Sequence, residues 1–322
     1  MKQTILKERI KAMPVVRTAS RHFILSPVRT YFRYFPVCGG KRMLWRSVAC
    51  HVRWLEFWTT ATTLFGSKLH VDPRDDVGRC IYYFGVWEPN LTAWISRSLS
   101  AGDTFVDVGA NIGYFSTLAA GIVKDQGSIV SIESMPRTCD VLKANYQLNG
   151  IRNGRIVSMA AWDAVGEVEM FGPATGVFAT ASAIKSRAEQ WDHKSKVMVP
   201  CAPLSEILTA TEIKAARIVK IDVEGSEWRV ICGMNDLMKS GRHDLEIVLE
   251  VNPDSLRIEG QTCRSLCLLF RKFGFHPYQI ENLYGDLSRI SLKPPSRPRR
   301  IEQIPEGEQS DVIFSRRDVE FL

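Results

Sequence analysis

The stretch that most constrains this 322-residue chain is Phe105-Val-Asp-Val-Gly-Ala-Asn-Ile-Gly113. A run of β-branched and aromatic residues ends in a glycine-punctuated turn, and the turn leads directly into the apolar helical pattern of Phe115 to Ile122. A strand that passes through a tight glycine turn into a helix lets a ligand approach the backbone, and it aims the positive helix end at that ligand. Turns of this kind mark a nucleotide-type site at the carboxyl edge of a sheet.

The rest of the chain repeats the alternation. Strands are expected at Ser128 to Ile132, Arg155 to Met159, Val168 to Phe171, Arg217 to Ile221 and Glu246 to Val251, and helices at Arg137 to Leu148 and Cys263 to Phe273. Strands alternating with helices imply a doubly wound, mostly parallel sheet covered on both faces. Two late strands, Pro277 to Ile280 and Asp311 to Phe314, have no helix between them, which predicts an antiparallel hairpin at one edge. Leu292 to Glu308 between them is rich in Pro and charge and reads as a surface loop. Upstream, Met43 to Phe65 carries apolar and aromatic residues at roughly helical spacing and is expected to form a helix or two. The division predicted is an N-terminal arm with helices over 1–77 and a catalytic domain over 78–322. Hydrophobic residues make up 45% of the chain, which excludes fibrous and fully disordered classes, and no uninterrupted apolar run is long enough to span a membrane.

The ligand of the glycine turn can be narrowed by position. A dinucleotide fingerprint anchored at Gly109 requires glycine at 111 and 114, where this chain has Asn111 and Tyr114. A Walker A loop requires a GKS or GKT that does not follow. An acid, Asp107, before the first glycine suits a ligand with a cationic amine and no phosphate, and S-adenosylmethionine is such a ligand. Twenty residues beyond Gly113 stands Glu133, where a carboxylate can take both hydroxyls of a ribose.

With these residues in register, the chain resembles the FkbM-type class I methyltransferases over roughly residues 80–285. The resemblance is carried by Trp87-Glu88-Pro89, by FVDVGANIG over 105–113, by Glu133 and by NYQLNGIRN over 145–153. It continues through Ala160-Ala161-Trp162-Asp163, VKIDVEGSE over 219–227 and Leu249-Glu250-Val251. It implies a Rossmann-like seven-stranded sheet, S-adenosylmethionine as donor, and methyl transfer most often to a hydroxyl oxygen of a saccharide or small natural product. It further implies that Gly109, Ala110, Asn111 and Gly113 wrap the methionine part, that Asp107 holds the ammonium, that Glu133 binds the ribose, that Ala161 and Trp162 border the adenine, and that Glu88 belongs to the cofactor set. Trp162 serves equally well as a buried structural residue. The sequence departs from the pattern after Glu133, where Ser134 and Met135 intervene before Pro136.

Asp222 and Glu224, two apart at the end of a strand, are expected to enter one cleft, where either could take the proton of an acceptor hydroxyl. Glu224 could instead cap the turn that follows. Asp222, Glu250 and Asn252 form an oxygen set suited to Mg²⁺, and His193 and His243 are alternative bases.

Charge is unevenly spread. Residues 1–55 hold twelve Lys or Arg against the single acid Glu8, a net +11 within a chain of net +7, so the other 267 residues sum to −4. The basic arm raises two alternatives to a small-molecule or glycan acceptor. One is a nucleic-acid methyltransferase using the arm as a clamp, disfavoured by the acidic body and by Asn252-Pro253-Asp254-Ser255 where an amino-methylation tetrapeptide would stand. The other is a membrane-surface or scaffold protein inserting Trp45, Trp54 and Trp58, with docking of these residues on the main domain as the plainer alternative. Eight scattered cysteines without a CxxC fit reduced thiols and a cytoplasmic setting, with Cys263 and Cys267 as buried helix residues.

Overall fold

The computed structural model describes residues 27–33, 40, 41, 43–45, 58–173, 181–193, 195–281 and 295–322. Residues 27–33 form helix α1. Strands β1 (Thr59–Thr62) and β2 (Lys68–Val71) pair as an antiparallel hairpin. Helices α2 (Asp76–Phe84) and α3 (Pro89–Ser98) lead into β3 (Thr104–Val108), α4 (Tyr114–Val123), β4 (Ser128–Glu133), α5 (Pro136–Leu148) and β5 (Gly154–Ser158). After β5 come the short β6 (Ala160–Ala161), then β7 (Gly166–Gly172), α6 (Lys185–Gln190) and β8 (Ser195–Ala202). The second half contributes β9 (Ala216–Ile221), α7 (Glu227–Cys232), β10 (Glu246–Val251), α8 (Pro253–Ile258), α9 (Cys263–Lys272), β11 (His276–Ile280), β12 (Arg299–Arg300) and β13 (Ser310–Ser315).

The main sheet runs in the order β12-β11-β13-β10-β9-β3-β4-β5. Strands β10, β9, β3, β4 and β5 are mutually parallel. Every residue of β3, β9 and β10 is buried, because both faces of the sheet are covered, and this is why these segments read as near-continuous apolar runs. Strand β13 runs antiparallel between β10 and β11, which gives the expected edge hairpin. The sheet has one strand beyond the seven expected: Arg299 and Arg300, inside the segment read as loop, pair with Gln279 and Tyr278. A separate sheet in the order β6-β8-β7 stands beside the carboxyl ends of the main strands. Cys263 and Cys267 are buried on α9, as expected.

One expectation is corrected. Thr59 to Thr62 is strand and residues 63–67 turn back to β2, so the segment ending at Phe65 is not helical throughout. Its aromatic residues imitate helical spacing, whereas Thr59, Thr60 and Thr62 are the β-branched residues that favour strand. Residues 46–57 of that segment, including Trp54, lie outside the described residues. Trp45 is 2% exposed and packs edge-on to Phe32, with ring centroids 5.4 Å apart, and against Phe84 at 4.9 Å. The guanidinium of Arg33 donates to the carbonyls of Ile81 and Tyr82 near the C-terminal end of α2. They lie in the last turn, where backbone donors run out, and the Ile81 carbonyl also accepts from the Gly85 N–H that caps the helix. Phe32 and Trp45 therefore dock on α2, in the same core as Phe105 and Leu118.

Candidate active site

The chain winds outward from β3 in both directions, through β4 to β5 on one side and through β9 to β10 on the other. The carboxyl ends of β3 and β9 therefore bound the crevice where such sheets bind ligands. An open cleft lies there, about 1050 Å³ when the solvent space at its mouth is counted, lined from β3, β4, β9, β10, the β6 strand and the loops that follow them.

The glycine turn forms its floor. Gly109 has φ +78°, and a Cβ placed on it would lie 1.8 Å from the carbonyl oxygen of Asp222, so the loop after β9 passes where only glycine leaves room. Asn111 is left-handed with φ +51°, and its N–H donates to Glu133 Oε2 at 2.9 Å, while Met135 N–H donates to Oε1. Glu133 is thereby fixed at the end of β4, and burial raises its pKa to about 7 against the pull of those two amides.

Asp107, 1% exposed on β3, accepts a 2.5 Å hydrogen bond from Ser116 on Oδ2. Its Oδ1 is buried, without a hydrogen-bond partner, in a residue that lines the cleft. Burial raises its pKa, and the nearby Lys220 opposes the rise.

Glu88, Asp107, Gly109, Ala110, Asn111, Glu133, Ala161, Trp162, Asp222 and Glu224 all line the cleft. Gly113 does not. It turns the chain into α4 with φ +87°, and a Cβ there would meet Leu142 at 2.4 Å. Trp162 lines the cleft and is half-buried rather than buried, with the Arg229 guanidinium 5.8 Å from its ring centroid.

Asp222 and Glu224 reach the cleft by a different route from the one expected. Strand β9 ends at Ile221, and Glu224 sits in a tight turn with φ +56°, followed by Gly225 at φ +107°. Glu224 does not hold the amides of the turn it stands in. Glu227 takes that part, its Oε1 accepting from Val223 and Gly225 N–H. Asp222 is neutralised by Lys220, whose Nζ donates to Oδ2 at 2.8 Å. Burial works against the charge of Lys220, but Asp222, Asp107 and Glu88 outweigh it and raise its pKa. Arg187, from α6, donates to Glu224 Oε2 at 3.3 Å and to Ser255 Oγ at 3.1 Å. Burial first and Asp222 second push Glu224 to a pKa of about 8, with Arg187 opposing.

Lys220 and Glu227 stand inside the VKIDVEGSE segment with no role expected for either, and Arg187 lies outside every motif. A lysine inside the otherwise apolar Arg217 to Ile221 run is the available signal for the first; a lone arginine in a polar stretch gives none for the third.

Two expectations fail. Asn252 is no metal ligand: its Oδ1 accepts from Ser255 N–H as the cap of α8, and its amide donates to Gln309. Oxygens of Asp222, Glu227 and Glu250 do lie within 4.8 Å of one another, but Lys220 supplies a resident cation to Asp222, and Glu227 is held by backbone amides. The histidines are also misplaced as bases. His243 lies just before β10, at the opposite edge of the sheet, and His193 packs beside Trp191 away from the cleft lining.

The model of the methyltransferase FkbM domain matches residues 107–277, just over half of the chain. The chain belongs to the FkbM methyltransferase domain family. By sequence this FkbM-family protein is similar to protein-L-isoaspartate O-methyltransferase 1 of Archaeoglobus fulgidus, 27% identical over 117 residues, which is 35% of this chain and 53% of that one. The chain thus spans about half the length of the curated relative it matches. Among solved structures, it is similar to an FkbM methyltransferase of Methylobacillus flagellatus, with 14% identity, TM-score 0.40, and 67% and 44% of the two chains covered. It is also similar to a precorrin-6y C5,15-methyltransferase of Geobacter metallireducens, with 12% identity, TM-score 0.36, and coverage of 70% and 85%. Among the described residues, no helix is long and apolar enough to cross a membrane.

Proposed function

We propose that this protein transfers a methyl group from S-adenosylmethionine to a hydroxyl of a saccharide or another hydroxylated small molecule. The observation that carries the reading is the buried, unpartnered Oδ1 of Asp107, a residue of the cleft lining to which Glu224 also belongs. A buried acceptor without a donor costs free energy, so the site favours a ligand that brings a donor to it. The α-amine of the donor molecule is such a group, and Glu133, at the end of the next strand, is placed for the ribose hydroxyls. Ala161 and Trp162 border the region left for the adenine.

S-adenosylmethionine, when bound, supplies an electrophilic methyl group on a sulfonium sulfur. On the chain's side the work is orientation and proton removal. Asp222 is held in its ion pair with Lys220. Glu224 is the carboxylate that takes the acceptor's proton, and Arg187 fixes its other side. Among the described residues that line the cleft, Lys220 is the one cationic side chain, and it is already paired with Asp222. That balance favours neutral hydroxylated acceptors over polyanions such as nucleic acid.

Calorimetric titration with S-adenosylhomocysteine tests the cofactor half. Binding in the micromolar range, weakened in Glu133→Ala, is expected, and no heat with the intact chain would remove the reading. A transfer screen with isotopically labelled donor against glycan and natural-product extracts, read by mass, tests the acceptor half. Label found on nucleic acid instead of hydroxylated small molecules would overturn it.

A further inference from the structure

Behind Asp107, outside the cleft lining, runs a chain of hydroxyls. Ser116 on α4 lies 2.6 Å from Ser131 on β4, and Ser131 lies 2.6 Å from the Tyr146 hydroxyl on α5. Ser116 and Ser131 are fully buried and Tyr146 is 4% exposed. None of the three lines the cleft.

The direction of this chain follows from counting hydrogens. An ionised carboxylate only accepts, and each hydroxyl has one hydrogen to give. Ser116 gives its hydrogen to Asp107 Oδ2, so it must accept from Ser131, and Ser131 must in turn accept from Tyr146. Every bond then points its positive end toward the carboxylate, and bonds in such a series strengthen one another in a dry interior. A protonated Asp107 would remove the acceptor that fixes this order. The relay also immobilises Oδ2 and with it the carboxylate, which leaves the buried Oδ1 as the oxygen without a donor from the protein.

We infer that Tyr146, Ser131 and Ser116 are positioning residues for Asp107, holding it oriented so that Oδ1 is offered to the amino-acid amine of the bound nucleoside. The inference rests on the cofactor reading above and extends it to residues that touch no ligand. Three elements of the doubly wound half meet in it, which ties the amine subsite to the packing of α5 on β4. Burial raises the Tyr146 pKa beyond the ordinary phenol range, so the hydroxyl keeps its hydrogen at every working pH. The charged and titratable groups around Asp107 are Lys220 and Asp222 from the β9 side and Glu133 at the end of β4. Lys220 and Asp222 act through space, and Ser116 is the side chain that bonds Asp107 directly.

The test compares two probes on the full chain: S-adenosylhomocysteine, and 5′-methylthioadenosine, the same nucleoside thioether without the amino-acid end. Tyr146→Phe keeps the ring and removes the hydroxyl, and Ser116→Ala breaks the link nearest the carboxylate. S-adenosylhomocysteine affinity is expected to fall roughly fivefold in Tyr146→Phe and more than tenfold in Ser116→Ala, the scale of a lost hydrogen bond serving a charged group. Affinity for 5′-methylthioadenosine is expected to stay within about twofold in both, since only the amine subsite is disturbed. Equal losses for the two probes would mean general damage to the site and would overturn the inference, as would unchanged S-adenosylhomocysteine binding in both variants. If the unmodified chain binds neither probe, the cofactor reading itself falls and takes the inference with it. A variant that fails to fold, shown by its thermal transition, passes the test to Ser131→Ala, which interrupts the same relay at its centre and is expected to separate the two probes in the same way.

Discussion

At the residue scale, the site is a set of positions where the backbone leaves no alternative. Gly109 has both a left-handed φ and a carbonyl of the neighbouring loop 1.8 Å from where a Cβ would lie. Gly109→Ala is therefore expected to cost at least about 2 kcal/mol of stability, and to abolish S-adenosylhomocysteine binding, because Asp222 must move away. Denaturant titration and calorimetry check both parts, and an alanine variant that binds normally would contradict the close approach. Glu224 carries a different expectation. Its pKa of about 8 means that it is largely protonated at neutral pH, and a base acts only when deprotonated. Methyl transfer should rise with pH and level off above about 8, and Glu224→Gln should lower kcat by roughly 10² or more and remove that rise. A wild-type profile flat from about pH 6 to 9 would assign the proton transfer elsewhere.

At the element scale, what can be read from the sequence divides by cause. The strands β3, β4, β9 and β10 are legible because each is an apolar run bounded by Gly, Asn or Asp, and the glycine turn alone is enough to locate the cleft. The hairpin of β1 and β2 is not legible, since its aromatic neighbours imitate a helix period while its pairing is set by contacts far along the chain. Thus Lys68 and His70 amides donate to Asn149 and Asn145 of the α5 region. The site shows the same division. Asp107, Asn111 and Glu133 stand in a motif, whereas Arg187 reaches Glu224 only because α6 folds back over the turn after β9. The docking of residues 27–33 and Trp45 on α2 is equally non-local. Trp45→Ala should therefore cost about 3–5 kcal/mol, as for other fully buried tryptophans. A change near zero in a urea unfolding curve would mean that Trp45 is free of the core.

At the scale of the whole molecule, the charge asymmetry of the sequence places a +11 segment on a body that is negative and keeps several of its acids buried. Burial is the largest cause of the raised pKa at Asp75 (about 7), at Glu133 (about 7), at Glu224 (about 8) and at Glu250, which lies well above its ordinary value. In the unfolded chain these carboxyls release their protons near pH 4. Between about pH 4 and 8 the folded protein thus holds more protons than the unfolded one, and stability falls as pH rises through that window. His70 and His193, lowered by burial, push the other way near pH 6.5, but they are two partly buried rings against six acids raised by burial, Asp107 and Glu227 included. The paired acids Glu212 and Asp244, with lowered pKa values, act at the acid end of the range. The ligand-free protein should therefore unfold at lower urea concentration at about pH 8 than at about pH 5.5, at matched ionic strength. Each unit of pKa displacement is worth about 1.4 kcal/mol, so the summed loss reaches several kcal/mol. Saturating S-adenosylhomocysteine should flatten the trend, because its amine and ribose favour the ionised forms of Asp107 and Glu133 and stabilise the folded state most where those are charged. A ligand-free midpoint that climbs from about pH 5.5 to 8 would show that these carboxyls are ionised in the fold, with partners that the described residues do not supply.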